Sequence, residues 1–527
     1  MSGTCGRISG ADAMRERMRY RSFGFLLSAV LLASGLHAQT TEQQIVADAA
    51  AALGGRDRVL AVKTLVVQGG GHDLNVGQSL RYDELGLQSD VWQIRDYKRT
   101  YDLANGRARF EVVRASQYPY YQGIGADRVI QAIDGDIAFN IAGNGNAQRV
   151  FGGQAAARRA EYLRHPLTLV RAALQPSAIL ANGRSQGGER LVDITSGGVK
   201  LTLAIDAATK LPSRIIQVVD SPTMGDTVME TRFGEYAAVN GVQLPARITT
   251  RTDRWLSADV RLLNQSIEGD VGSLAAPAAV RSATQPPPPP APMTTAREIA
   301  KGLWYVEGTT HKSLLAEFSD HMLLIEAPND ERVRAVLAKA RELRPGKPVT
   351  TLLVTHHHAD HTSGVRLAVA EGVTEIITHR SNVAYLNDVL TRPHTINPDD
   401  LAKKGNVKLP KITAVDDTGV LRDAMMTINM FHIRDNSHAD SMLMLYFPNG
   451  KIVTQPDIYM PNDARNVIEG EPLGHAPWLQ NLAANIALRK LDVQYHAPIH
   501  GDYVTNKQFL DSLIFMTQFV PGSKSTN

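Results

Sequence analysis

Five consecutive prolines at 286–290, followed at once by Ala291-Pro292, divide this chain. A proline run holds extended polyproline geometry, donates no backbone hydrogen bond, and can neither enter a central strand nor continue a helix. The stretch 275–297 is therefore expected to be a linker, with a block at 40–274 and another at 298–527 folding on either side of it. At 527 residues the chain has length enough for two large domains.

The formal net charge is +3, and the first 38 residues carry all of it through Arg7, Arg15, Arg17, Arg19 and Arg21 against Asp12 and Glu16. The remaining chain is electrically balanced. That removes the electrostatic case for nucleic acid or an anionic membrane, both of which need an excess of Lys and Arg. Behind Arg21 runs the apolar segment 23–36 (FGFLLSAVLLASGL), ending in Leu36-His37-Ala38 before polar Gln39. This is the layout of a cleaved secretory signal over 1–38, and the run is shorter than the roughly 20 residues that span a bilayer. A periplasmic or secreted location is expected. Cys5 is the sole cysteine, so an intramolecular disulfide, a zinc-thiolate site and a cysteine nucleophile are all excluded. Any metal must be held by His, Asp or Glu.

The first block opens with a helix expected over 41–52 and stopped by Gly54-Gly55. Short alternating runs at 64–67, 109–113 and 200–205 follow, punctuated by Gly, Asn and Asp, and read as antiparallel strands. Asn240-Gly241 marks a hairpin and Pro245 an edge position, while Gly69-Gly70-Gly71 lacks the lysine and spacing of a phosphate loop and reads as a turn. The order of elements resembles the curved sheets of the lipoprotein-carrier type. In the second block helices and strands alternate. Val333, Val336, Leu337 and Ala340 share one helical face, and residues 349–354 form a buried strand. Residues 442–447 and 451–454 make a hairpin in which Asn449-Gly450 signals a type I′ turn. The expected fold class is α+β in two domains: a mostly antiparallel β-rich first block and a layered αβ/βα second block.

Directly after the 349–354 strand comes Thr355-His356-His357-His358-Ala359-Asp360-His361. In extended chain, residues i and i+2 point the same way. His356 and His358 can thus share one metal, Asp360 and His361 at the turn into a helix can face a second, and His357 points away. A merely solvated histidine cluster would not sit in a strand–turn–helix context, which fixes ligands in place.

This HxHxDH pattern resembles the signature of the metallo-β-lactamase superfamily, and the resemblance covers essentially the whole of 298–527. Asn436-Ser437-His438-Ala439-Asp440-Ser441 stands where that family has its third motif, which implies His438, rather than His432, as the third ligand of the first metal. Asp457 stands where the family places its bridging aspartate. Pro498-Ile499-His500-Gly501 implies His500, rather than His496, as a ligand of the second metal. The implied set is His356, His358 and His438 for one ion, Asp360, His361 and His500 for the other, and Asp457 between them. Two zinc ions are the implied cofactor, with iron or manganese as alternatives. One departure concerns Glu326-Ala327-Pro328, where the family has an Asp-Thr-Gly, and it touches the surroundings of His361. Gln455-Pro456 replaces a Thr-Gly before Asp457.

The implied activity is that of a dinuclear hydrolase in which a metal-bridging hydroxide opens an ester, lactone or β-lactam-like amide. Asp360 would orient the nucleophile and shuttle its proton, and Tyr459 is a candidate for binding a substrate carbonyl or for simple packing. Loops at 393–410, 475–478 and Tyr503 are expected to shape specificity for a small uncharged or amphipathic substrate. Two alternatives stand beside this: an iron-dependent oxygenase of sulfur compounds, and an envelope protein whose first block binds an apolar ligand. The oligomeric state has no signal in the sequence.

Overall fold

Alternation of buried and exposed residues along the first block builds one large antiparallel sheet. The computed structural model describes residues 40–83, 91–116, 126–288, 293–308, 311–462, 467–468, 471–472 and 476–518. The expected signal segment lies outside them. Thirteen strands run in a meander from Thr64–Leu74 to Trp255–Ile267, and these two, first and last in sequence, pair with each other in the middle of the sheet. Helix Gly152–Leu163 touches both Ile137–Ile141 and Val199–Asp206, strands near opposite ends of the sheet order. The sheet therefore curls around its helices. Ile45, Val46 and Ala49 of helix Thr41–Ala52 join Leu167, Leu169 and Val170 and strand residues such as Leu203 and Phe110 in one core.

Three local expectations need correction. Gly69-Gly70-Gly71 is not a turn: it lies inside strand Thr64–Leu74, paired on both sides, where the register shifts. A Cβ on Gly69 would stand 2.0 Å from the Arg261 carbonyl oxygen and one on Gly71 2.0 Å from that of Asp259, so only glycine permits this approach. Pro245 belongs to strand Val242–Thr252, which has neighbours on both sides. It escapes the ladder conflict because pairing with Trp255–Ile267 begins only at Arg247. Asn449-Gly450 does not make a two-residue turn. The strands close at Phe447 opposite Ile452, Gly450 donates to the Phe447 carbonyl, and Lys451 takes the positive φ of 51°. Pro448 sets this geometry, since proline favours the second position of a type I turn.

The second block stacks two sheets face to face. One is mixed, running from Thr295–Ala300 to Lys411–Val415; the other has six strands, from Thr418–Arg422 to Val504–Thr505. Leu303, Leu314, Leu323 and Leu353 of the first meet Leu443, Leu445 and Phe447 of the second. Helices cover both outer faces: Asp330–Leu343, Val365–Ala370 and Val383–Thr391 on one, Ala476–Leu488 and Asn506–Gln518 on the other. This is the expected αβ/βα layering.

The stretch read as a linker carries structure at both ends. Helix Ala278–Ser282 seats Val280 against Ala132 and Phe139, and strand Thr295–Ala300 joins the mixed sheet. Residues 41–527 form one compact unit, in which the blocks meet through Arg392 and Asp253, Thr223 and Ser363, and Asp226 capping the backbone of Thr395 and Ile396. No helix among the described residues is long and apolar enough to cross a membrane.

Candidate metal centre

Strand Val349–Leu353 ends under the histidine-rich turn and fixes its direction. His356 and His358 fall side by side, ring centroids 4.4 Å apart. His357 turns the other way, toward Tyr385 and Tyr82. The short helix Ala359–Thr362 then presents Asp360 and His361. It is clamped by Ala327, whose N–H donates to the His361 carbonyl and whose carbonyl accepts from Gly364. At Gly364 a side chain would meet the Asn329 carbonyl oxygen at 2.8 Å, so the clamp closes only on glycine.

Three further segments complete the centre. The Asn436 side-chain oxygen accepts from the backbone N–H of His438 and Ala439, a local Asx turn that holds the histidine out of the loop. Gln455 accepts from the N–H groups of Ile458 and Tyr459 and donates to the Tyr459 carbonyl, bracing the bend that carries Asp457. Tyr305 donates between the carbonyls of Pro498 (2.5 Å) and Gly501 (2.9 Å) and steadies the loop bearing His500.

Two groups of candidate ligand atoms result, each with members within 4.8 Å of one another: His356, His358, His438 and Asp457, and His311, Asp360, His361 and His500. Asp457 stands between them. Its Oδ2 lies 3.0 Å from His356 Nε2 and 3.3 Å from His438 Nε2, while its Oδ1 lies 2.9 Å from His500 Nε2. His361 Nε2 is 3.1 Å from the same carboxylate. All seven residues named from the sequence thus converge on one place, and His311 joins them. Sequence reading missed it: His311 precedes the motif by 45 positions, on the hairpin turn before strand Ser313–Glu317, and its pairing with His500 exists only in three dimensions.

Three of the rings, His356, His358 and His361, are oriented by their remaining nitrogen, as metal-binding imidazoles commonly are. His361 Nδ1–H donates to Glu326 Oε2 at 2.9 Å, and Glu326 Oε1 accepts from the Thr355 N–H at 3.0 Å. Glu326 is wholly buried and sits at φ +72°, a region that non-glycine residues rarely occupy. The glutamate that departs from the family pattern is therefore the partner of His361. His358 Nε2–H donates to the Ser79 carbonyl at 3.0 Å, leaving Nδ1 with the lone pair, buried and without a hydrogen-bond partner.

Burial lowers the pKa of His356 and His358, and neighbouring rings add to the effect, so both are neutral at pH 7. Burial acts the same way on His361 and His500, but the carboxylates of Asp457 and Asp360 outweigh it. His361 rises well above its usual value and His500 is pushed up to about 9. Burial would raise Asp360 and Asp457, yet the surrounding imidazoles hold both well below the carboxylate range. Two buried neutral rings, His356 and His358, the latter with a free inward lone pair, beside His361 and His500, whose protons are held by carboxylates, fit a pair of divalent cations. Imidazole with carboxylate suits zinc, and also iron or manganese.

Among the described residues, the remaining ones named from the sequence do not join the two ligand groups. Tyr459 is 1% exposed, packed on His496 and Phe509 with its hydroxyl 3.4 Å from Ser512, so it belongs to the core. His496 bonds Asn506, and His432 stacks on His379; neither faces the centre. The 393–410 segment lies against the first block through Asp226, and Tyr503 stacks on Tyr495. Trp478 backs His438, with ring centroids 5.0 Å apart, and His475 lies outside the described residues.

No curated protein shows significant similarity to the chain. Among solved structures, a metallo-beta-lactamase from Pontibacter korlensis is 14% identical, with a TM-score of 0.32, over 43% of this chain and all of its own. The mono-zinc form of metallo-beta-lactamase FIM-1 from Pseudomonas aeruginosa is 15% identical at 0.32, over 43% of this chain and 96% of its own. Rubredoxin oxygen:oxidoreductase from Desulfovibrio gigas is 12% identical at 0.33, over 42% and 62%. Scores this low carry nothing about activity. Residues 323–500 match the family model of the metallo-beta-lactamase superfamily, a span that holds the histidine-rich turn, His438, Asp457 and His500, and this part of the chain is a domain of that superfamily.

Proposed function

We propose that the chain is an exported, dinuclear zinc-dependent hydrolase that cleaves an ester, lactone or β-lactam-like amide. The observation that carries this reading is the meeting of two four-residue ligand groups at one carboxylate, Asp457. A bound metal pair supplies an activated water at neutral pH and polarises the carbonyl under attack. His356, His358 and His438 would hold one ion and Asp360, His361, His500 and His311 the other. Glu326 and the Ser79 carbonyl keep two of these rings in the tautomer that binds. Asp360, with 36% of its side chain exposed, faces the open side of the centre and is placed to take the proton from water and return it to the leaving group. The basic, apolar leader at 15–36 supports export.

Metal analysis of the purified protein, with a hydrolysis panel of lactones, a cephalosporin reporter, aryl esters, phosphodiesters and aryl sulfates, tests the proposal. Near two zinc per chain and an activity lost in His358→Ala are expected. Activity that survives His358→Ala, or a single iron per chain, would overturn it.

A further inference from the structure

The superfamily match begins at residue 323, yet the metal centre is touched by a segment far upstream. Strand Thr64–Leu74 of the first block, whose register shifts at its paired glycines, releases the chain onto the histidine-rich turn. Over the next eight residues the contacts are dense. Gln78 Nε2 donates to Asp360 Oδ1 at 2.7 Å. The Ser79 carbonyl accepts from His358, and the Leu80 carbonyl accepts from the Asp440 N–H at 2.9 Å. Arg81 pairs with the Asp440 side chain, and Tyr82 donates to Asp388 while its ring sits against Tyr385 and Trp255. Trp255, on the last strand of the first sheet, donates to the Tyr82 carbonyl. The strap is thus anchored at both ends, and its middle reaches one ligand of each metal group.

From this geometry we propose that Gln78, supplied by the first block, is a positioning residue of the metal group that contains Asp360. The inference rests on the dinuclear reading above. Asp360 projects from a four-residue helix and is the most exposed of the seven residues named from the sequence, and within that helix only His361 reaches it, at Oδ2. The Gln78 amide occupies Oδ1. That leaves Oδ2 turned inward, 3.2 Å from His311 Nε2, 3.4 Å from His361 Nε2 and 3.6 Å from His500 Nε2. A neutral amide suits this role: it holds the carboxylate without adding a positive charge that would compete with a cation. The first block is then part of the catalytic unit and no mere passenger on a tether.

The test uses the full-length protein stripped of metal and titrated with Zn²⁺ against a chelator, with the melting temperature of the stripped protein recorded alongside. Wild type is expected to show two resolved binding constants. Loss of an outer-sphere partner typically weakens binding about 10- to 100-fold, so Gln78→Ala should weaken one constant by that factor and leave the other and the metal-free melting temperature unchanged. Gln78→Glu keeps the volume but cannot donate, and should weaken the same constant. Asp360→Ala should affect that constant too, and adding Gln78→Ala to it should cause no further loss. The proposal is overturned if both constants fall together, if neither moves, or if the two substitutions add. A wild-type chain that binds fewer than two ions overturns the dinuclear reading itself, a result visible before any variant is made.

Discussion

The two ligand groups share Asp457 and differ in exposure and charge. His356 and His358 are sealed from solvent and neutral at pH 7, with rings packed between His361 and His438. In the other group the side chains of Asp360, His311 and His500 are 36%, 20% and 16% exposed, and His361 and His500 hold protons against their carboxylate neighbours. A cation entering the first group meets ready lone pairs. One entering the second must displace protons and lies where solvent and substrate arrive. On the dinuclear reading proposed above, the first group would be the tighter and more inert, and the second the exchangeable one that addresses the substrate.

Asp457→Ala is the largest way to break this contrast. It removes the one carboxylate common to both groups and leaves six imidazoles without their central counter-charge. Metal content is expected to fall from two ions to one or none, and hydrolysis by about a thousandfold or more, the scale on which removal of a central catalytic group acts. Elemental analysis and the hydrolysis panel read both effects. Retention of two ions would show that Asp457 merely lies between the groups.

Proton release tests the charge side of the comparison. His361 and His500 must lose their protons to bind, whereas His356 and His358 have none to lose, so loading the second group at pH 7 should release about two protons. The sign follows: protons compete with the cation, so affinity at the second group rises with pH, by about 100-fold per unit for two protons, and the rise slackens as pH passes about 9, where His500 titrates. His356 and His358 contribute no such slope to the first group. Calorimetry in buffers of differing ionisation enthalpy counts the protons. Equal release at both groups would erase the distinction.

The same contrast explains what could be read from the sequence. The turn at 356–361 is local, so strand alternation and a helix start suffice to place four side chains. His438 and His500 were recognisable because short flanking motifs present them, and the Asx turn at Asn436 and the loop beneath Tyr305 are the physical reason those motifs work. For Tyr459 the sequence leaves substrate binding and packing both open, and the Gln455 brace bends the chain and sends the tyrosine into the core. His311 and Gln78 left no local trace. One depends on a hairpin docking beside His500, the other on a strand from a different sheet. Gly69-Gly70-Gly71 held a hint, since glycines in an otherwise apolar alternating run signal a close backbone approach as readily as a turn.

Glu326→Ala should affect the second group through His361 alone. The buried glutamate holds that ring and the Thr355 N–H together, so its loss is expected to weaken the second ion by about 10- to 100-fold. It should also destabilise the metal-free protein by about 3–5 kcal/mol, because a buried imidazolium loses a paired carboxylate. Glu326→Asp, which restores the residue type of the family pattern one methylene shorter, should fall between the two. Chelator competition and urea unfolding measure the two consequences separately.

The smallest effect is expected from His311→Ala, and it sharpens the comparison most. His311 rides on a turn that Arg332, almost wholly buried, braces by donating to the carbonyls of Val306, Glu307 and Gly308. Its ring meets His500 with centroids 4.3 Å apart. With Asp360, His361 and His500 still present, removing it should weaken the second ion by about tenfold, or ~1.4 kcal/mol, and leave the first unchanged. Arg332→Met keeps the imidazole but removes its brace. Buried carbonyls then lose their donor, so this variant should lower the melting temperature, an effect His311→Ala lacks. If His311→Ala instead loosened both ions equally, the eight side chains would behave as one coupled cluster, and the division into an inert group and an exchangeable one would not survive.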